Sequence, residues 1–427
     1  MKEEEKYIIE NELDKILEIF DEEGFNNQNF INYSRIWNQT FLHNLRLHKK
    51  SRECAFPKCS KQSIKRSHSI PKTTSLLHIA TNGHLLKPEF DLKSQNIPRM
   101  VMQRIGIANA SVFPGYCKEH ENIFNIFEQD GEIDDDKKAL LQTYRAICRE
   151  RVFREIEIDI QEKIKYAYQE KINQEALSTI KESLSKQNLS SEVKSVEIKG
   201  VDYILYSLEG LILNLNDTNK KLLDFEEKIF KNIYDPPNVS DLIIKIVNID
   251  IKFPISVCGF ATLRYKENED ETTAYLLLNI LPQKESTTVV CVSLEKDKQI
   301  CDKYCEYTLS DPLTILNMIE SFMVNGSDHW FINPDFWKKM PSQKQERILH
   351  DILTTEDSFI DEYPISIFDD IRKKILLVLK QNTKHRELTN EENERINIEM
   401  QKLKKNDFTI IRDDDKFYER LQNKIKH

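Results

Sequence analysis

CAFPKCSKQSIKRSHSIPKTTSLLHIATNGHLL, residues 54–86, and FPGYCKEHENIFNIFE, residues 113–128, are the stretches around which the rest of the chain is read. Cys54 and Cys59 make a C-x4-C pair, and Cys117 with His120 makes a C-x2-H pair. Zinc takes four such ligands in a tetrahedron, commonly as two pairs, each on a tight turn or at a helix start. Cys117 follows Gly115, and His120 opens the helical pattern ENIFNIFE, so the second pair has that setting. The bland alternative is two unrelated cysteine spacings, but no other segment offers two pairs. Cys301 and Cys305, in ICDKYCEYTL, have no second pair nearby. Cys148, Cys258 and Cys291 stand singly in apolar surroundings, where a free cysteine behaves as a small hydrophobe. Three of only nine glycines (Gly83, Gly106, Gly115) lie between the ligand pairs, with Pro57, Pro71, Pro88, Pro98 and Pro114 around them. Residues 51–128 therefore read as a small, turn-rich module stapled by zinc.

Outward from it the pattern is regular. Ile8, Ile9, Leu13, Ile16, Ile19 and Phe20 recur at helical intervals, which predicts N-terminal helices over residues 1–50. Residues 129–236 read as a helical region, with long helices at about 134–186 and 201–233. Pro236 and Pro237 end it. The β-branched runs DLIIKIVNIDIKF, FATLRYK, TTAYLLLNIL and TTVVCVSL make 237–310 an antiparallel β-rich region, expected as a meander. Residues 311–427 return to helix and finish in a charged tail. The expected fold class is α+β: a helical N-terminus, the stapled module, long helices, an antiparallel sheet and a helical C-terminus.

Composition limits the function. Hydrophobic residues are 39% of the 427, enough for sizeable cores, so wholesale disorder is excluded. No run approaches the ~20 apolar residues of a membrane span, so no membrane partner is expected. The acidic, amphipathic N-terminus is unlike a signal peptide, and a cytoplasmic location follows as the simplest expectation. A net charge of −9 argues against a chain-wide coat on nucleic acid. The average conceals one basic segment. From His48 to Lys72 there are eight basic residues against Glu53 alone, a local +7 that leaves −16 for the remainder. Lys58, Lys61, Lys65, Arg66 and Lys72 in that segment are candidate contacts to a DNA or RNA backbone, although such a run is most often a solvated face.

A cysteine pair, a basic stretch, S-H-x-I-P and a second ligand pair opening a helix resemble the HNH, or ββα-metal, nuclease motif. The motifs SHSIP, IATNGHL and FPGYCKEHENIF also resemble a group of bacterial proteins. The HNH resemblance covers about 75 residues. It implies a ββα-like module whose structural zinc lies apart from the catalytic centre. His68 then ends the first strand as general base, and Mg²⁺ or Mn²⁺ assists hydrolysis of a phosphodiester, in a bacterial defence or mobile-element setting. Two positions depart from the motif. Ser67 stands where an aspartate is frequent, and Glu121 follows His120 where an asparagine is typical. Glu121 is a replacement cation ligand or a first-turn acid favourable to its helix; His84 is a second ligand or a cap on the NGH turn. His68 is itself either the base or a fold-stabilising histidine. The competing function is a non-catalytic zinc module that binds nucleic acid or a protein. The aromatic cluster HWFINPDFW reads as a core corner or a base-stacking surface, and oligomeric state is not legible.

Overall fold

The computed structural model describes residues 51–91, 99–187, 193–197, 203–237, 240–267, 270–354, 360–382 and 389–405, with a few single residues elsewhere. The helices expected over 1–50 and the tail beyond 411 lie outside the described residues. The chain forms two compact units, one of Met1–Lys50, Phe153–Lys221 and Tyr418–His427, the other of Ser51–Val152 and Leu222–Phe417.

The second unit is built on a seven-stranded sheet. Its strands are β2 (His84–Phe90), β3 (Met100–Gly106), β5 (Leu242–Ile249), β6 (Ile255–Glu267), β7 (Asp270–Pro282), β8 (Thr287–Leu294) and β9 (Trp330–Ile332). A separate pair joins β1 (Ser67–His68) to β4 (Val112–Phe113). The sheet order is β3-β2-β9-β6-β7-β8-β5, and every pairing is antiparallel. With the long helices around it, the fold is α+β. A plain meander would set β5 beside β6; instead β5 pairs with β8 along its whole length. The five-residue link 250–254 can do this, since three strand spacings are about 14 Å and five extended residues reach about 16 Å.

Every residue of β8 is buried, so both faces of the sheet are covered. On one face Val257, Leu276, Leu278, Val289 and Cys291 pack with α5 (Lys298–Thr308) and α6 (Pro312–Ser321). Each aliphatic side chain fully buried there contributes roughly 1.5–3 kcal/mol. Asp311 caps α6 by accepting from the backbone N–H groups of Leu313 and Thr314, and Pro312 suits the first helical position. On the other face, Gln142 donates to Asn279 of β7 at 3.1 Å, and Phe225 meets Phe260 of β6 edge-on. These side chains belong to α3 (Asp136–Lys186) and α4 (Tyr203–Tyr234). The division between units falls inside both helices, after Val152 and after Lys221.

The β2–β3 hairpin comes from the stretch that composition separates as a module, yet it extends the main sheet through β9, where Leu86 pairs with Ile332. Asn333 Nδ2 donates to the carbonyl of Ile79 at 2.9 Å, and Thr81 to Asp335 at 2.9 Å. Trp330, Phe331 and Trp337 are buried and Phe336 packs partly buried against the same core, so HWFINPDFW forms a core corner. Cys301 and Cys305 face that core from α5. In the first unit, residues 156–184 of α3 bury Ile156, Ile160, Ile164, Tyr168, Ile172 and every fourth residue after it to Leu184. A four-residue step overshoots one helical turn by about 40°, so this stripe winds slowly round the helix. Among the described residues, no helix is long and apolar enough to cross a membrane.

Candidate metal cluster and histidine site

The four expected ligands converge. Cys54, Cys59, Cys117 and His120 place their ligand atoms within 4.8 Å of one another, the one such group among the described residues. The Cys54 and Cys117 sulfurs each lie 3.4 Å from His120 Nδ1. Ligands held at ~2.3 Å (S) and ~2.0 Å (N) on a tetrahedron would be about 3.5 Å apart, so this Cys3His set could bind a metal ion such as zinc.

Local backbone structure explains the convergence. Cys54 N–H bonds the Lys61 carbonyl at 2.8 Å and Cys59 N–H the Phe56 carbonyl at 3.1 Å, closing the first turn. Lys58 completes it in the left-handed region, at φ 62°. Ala55 N–H bonds the Gly115 carbonyl and Ile64 N–H the Tyr116 carbonyl, which brings the two pairs together. A Cβ on Gly115 would lie 2.4 Å from the Phe113 ring, so that position needs glycine. Cys117 caps the short helix α1 (Lys118–Glu121), and its N–H points at Cys54 Sγ, 3.2 Å away. The Phe56 ring stacks on His120, centroids 3.8 Å apart, and meets Phe230 and Tyr234 of α4 edge-on.

Without a cation, burial pushes the Cys54 thiol up to about 11. Burial acts the same way on Cys117, but backbone N–H groups of His120 and Glu119 outweigh it and hold that thiol below its ordinary range. Metal binding to such a set releases protons, so affinity falls in acid.

His68 lies at the end of β1, where Ser67 pairs with Phe113 and His68 with Val112. Its Nδ1 is 2.9 Å from the Ala110 carbonyl. A carbonyl can only accept, so Nδ1 carries the proton and Nε2 keeps its lone pair. Burial first, then the Arg145 charge, lowers its pKa to about 4, so it is neutral at pH 7. The Glu121 carboxylate is beside it, near the Ser67 hydroxyl and the His68 backbone N–H, both of which favour its ionised form. Burial raises the Glu121 pKa despite the Arg145 guanidinium 3.7 Å away. Its Oε2 is buried without a hydrogen-bond partner.

Three neighbours of this site were not among the expected residues. Arg145 of α3 is 2% exposed and donates to Glu128 from both terminal nitrogens at 3.0 Å. It also lies over the Phe124 ring, 4.9 Å from the centroid. Glu128 closes α2 (Asn125–Asp130) onto the Thr73 hydroxyl at 2.7 Å. The third, Ala110, acts through its backbone, for which no side-chain signal exists. Arg145 had one: a charge flanked by the apolar positions Leu141, Tyr144 and Cys148 of its helix.

His84 joins none of this. Its Nδ1 bonds the Asn82 carbonyl at 2.8 Å, and its backbone closes the turn with Thr81. Of the expected basic contacts, Lys61 is engaged by Glu119 in an exposed ion pair. Lys58, Lys65, Arg66 and Lys72 are exposed, with no carboxylate partner among the described residues.

No protein-family model, curated protein or solved structure matches this chain.

Proposed function

We propose that the chain is a metal-dependent, HNH-like endonuclease that hydrolyses nucleic-acid phosphodiesters. One observation carries the reading: His68 is neutral, its Nδ1–H is tied to a backbone carbonyl, and a half-buried carboxylate with one buried, unpartnered oxygen lies beside it. That is the form a general base needs, with one nitrogen orienting the ring and the other free to accept a proton. The order of elements agrees: β1 ending in His68, antiparallel β4, then the helix bearing Cys117 and His120.

Zinc fits the Cys3His set. With all four positions filled by protein it would be structural, joining the 54–59 turn to α1. At the second centre the free Oε2 of Glu121 suits a hard cation such as Mg²⁺ or Mn²⁺, which when bound would neutralise charge on the scissile phosphate. His68 Nε2 takes the proton of the water that attacks phosphorus. An anionic phosphate beside the ring would raise its proton affinity from the low resting value. The exposed cations Lys58, Lys65, Arg66 and Lys72 supply charge for a nucleic-acid backbone, so binding would weaken as salt rises. A defence or mobile-element setting rests on the sequence resemblance alone.

The second reading, a non-catalytic zinc module binding nucleic acid or protein, is favoured by His84. It stays in its own turn and leaves Glu121 as the cation donor beside His68. The deciding experiment incubates wild type and His68→Ala with plasmid DNA and with RNA in Mg²⁺ or Mn²⁺, measuring zinc content in parallel. Loss of cleavage by about 10²–10⁴-fold at unchanged zinc supports the nuclease. Equal behaviour of the two proteins refutes it.

A further inference from the structure

We propose that Ser69 and His329 are positioning residues for His68, joined in a buried hydrogen-bonded chain that holds the Ala110 carbonyl against its Nδ1–H. This builds on the reading of His68 as the base, and its test separates the two.

Ser69 and His329 are 260 positions apart in the chain, yet Ser69 Oγ lies 2.7 Å from His329 Nε2. Both are buried. The Ser69 hydroxyl also donates to the Ser111 carbonyl at 3.1 Å, the carbonyl that accepts the Ser69 backbone N–H at 2.9 Å. A serine hydroxyl has one proton, and a carbonyl can only accept it. His329 therefore supplies the other hydrogen, from Nε2. The chain runs His329 to Ser69 to Ser111.

Ser111 is what makes the chain matter for His68. Its φ is 55°, in the left-handed region that costs a residue with a Cβ about 1 kcal/mol or more. The peptide plane preceding it carries the Ala110 carbonyl. If Ser111 relaxed to negative φ, that plane would turn and the carbonyl would leave His68 Nδ1. Ser69 opposes this by bonding the Ser111 carbonyl twice. The Ser111 hydroxyl adds contacts to the backbone of Ile70, at 3.4 and 3.3 Å. Gln142 pins the Ser69 carbonyl from α3 at 2.9 Å.

His329 is itself held. Its N–H donates to Ser327 Oγ at 3.1 Å, its carbonyl accepts from Cys258 of β6 at 3.3 Å, and its ring meets Phe331 edge-on. Burial, with the charges of Arg149 and Lys87, keeps its pKa well below the ordinary range, as suits a fixed neutral donor.

A pair that only stabilised the fold would leave the tautomer of His68 unchanged, so the tautomer is the readout. Full-length protein carrying ¹⁵N-histidine is examined by NMR as wild type, Ser69→Ala, His329→Phe and His329→Gln, with His68→Asn assigning the signal. Wild type is expected to show His68 protonated on Nδ1 alone. Ser69→Ala and His329→Phe should each admit the Nε2–H tautomer and speed Nδ1–H exchange about fivefold or more, the equivalent of one lost hydrogen bond. His329→Gln, which can still donate to Ser69, should restore the single tautomer. If the first two variants keep the wild-type tautomer and exchange rate, the positioning role is wrong, whatever their activity. Should neither fold, the wild-type spectrum decides, since an Nε2-protonated His68 overturns the proposal. If the tautomer shifts as expected while wild type cleaves neither DNA nor RNA, the positioning stands and the nuclease reading falls. If wild type cleaves, Ser69→Ala should lower kcat at least tenfold with KM unchanged.

Discussion

Acidification should weaken the fold through His68, and by an amount the structure sets. Burial and Arg145 lower the imidazole from an ordinary 6.5 to about 4; the Glu128 charge and the Ala110 carbonyl oppose this and are outweighed. The unfolded chain therefore binds a proton near pH 6.5, whereas the folded one resists until about 4. Above 6.5 neither form is protonated and the fold loses nothing. As pH falls through the interval the unfolded chain takes up the proton first, so stability falls with pH and the loss is complete near pH 4. At ~1.36 kcal/mol for each tenfold difference in proton affinity, the deficit is ~2 kcal/mol by pH 5 and ~3 kcal/mol by pH 4. The assay is urea unfolding followed by tryptophan fluorescence. Trp330 and Trp337 lie in the core of the unit that holds His68 and report on it. Carboxylates and metal ligands also titrate, so the comparison is with His68→Asn, in which those contributions persist. Wild type should lose ~2 kcal/mol more than the variant between pH 7 and pH 5. Equal losses would mean that His68 titrates near its ordinary value, and the argument for a neutral, shielded base would fail. The same neutrality of the free protein predicts a kcat/KM for cleavage that does not drop as pH falls from 8 through 6.5.

Cys117→Ser should remove the bound metal and lower the thermal midpoint, read by metal analysis and calorimetry; stoichiometric zinc surviving the change would show the ligand set to be wrong. Gly115→Ala forces a methyl into the Phe113 ring and should cost about 1–3 kcal/mol, so an unchanged midpoint would contradict the packing described. Arg145→Met leaves the half-buried Glu121 and Glu128 without their guanidinium and should cost about 1.5–3 kcal/mol in urea unfolding at pH 7. If the protein instead matches wild type, the ion pairs do not hold the loop around Thr73.

Much of this was legible in the chain. The Cys54–Cys59 and Cys117–His120 pairs could be read because each is closed by its own turn, and a turn needs only the residues inside it. Helical and alternating periodicity marked α3, α4 and strands β5 to β8 for the same reason. The 298–308 helix went unread because it lies inside 237–310, which the β-branched runs before it marked as β-rich. His84 shows the limit from the opposite side: its Nδ1 bonds the Asn82 carbonyl inside its own turn, which the spacing NGH does not disclose.

Tertiary structure alone decided the rest. The spacing of residues within a strand does not name its partner, so β5 lying beside β8 and the hairpin β2–β3 joining the sheet through β9 could not be foreseen. The surroundings of His68 have the same character. Ala110 contributes a backbone oxygen, Arg145 arrives from the helix after the module, and His329 from 260 positions beyond Ser69. Local spacing determined which residues could hold a metal. Long-range burial determined that His68 is neutral, which of its nitrogens carries the proton, and what keeps it so.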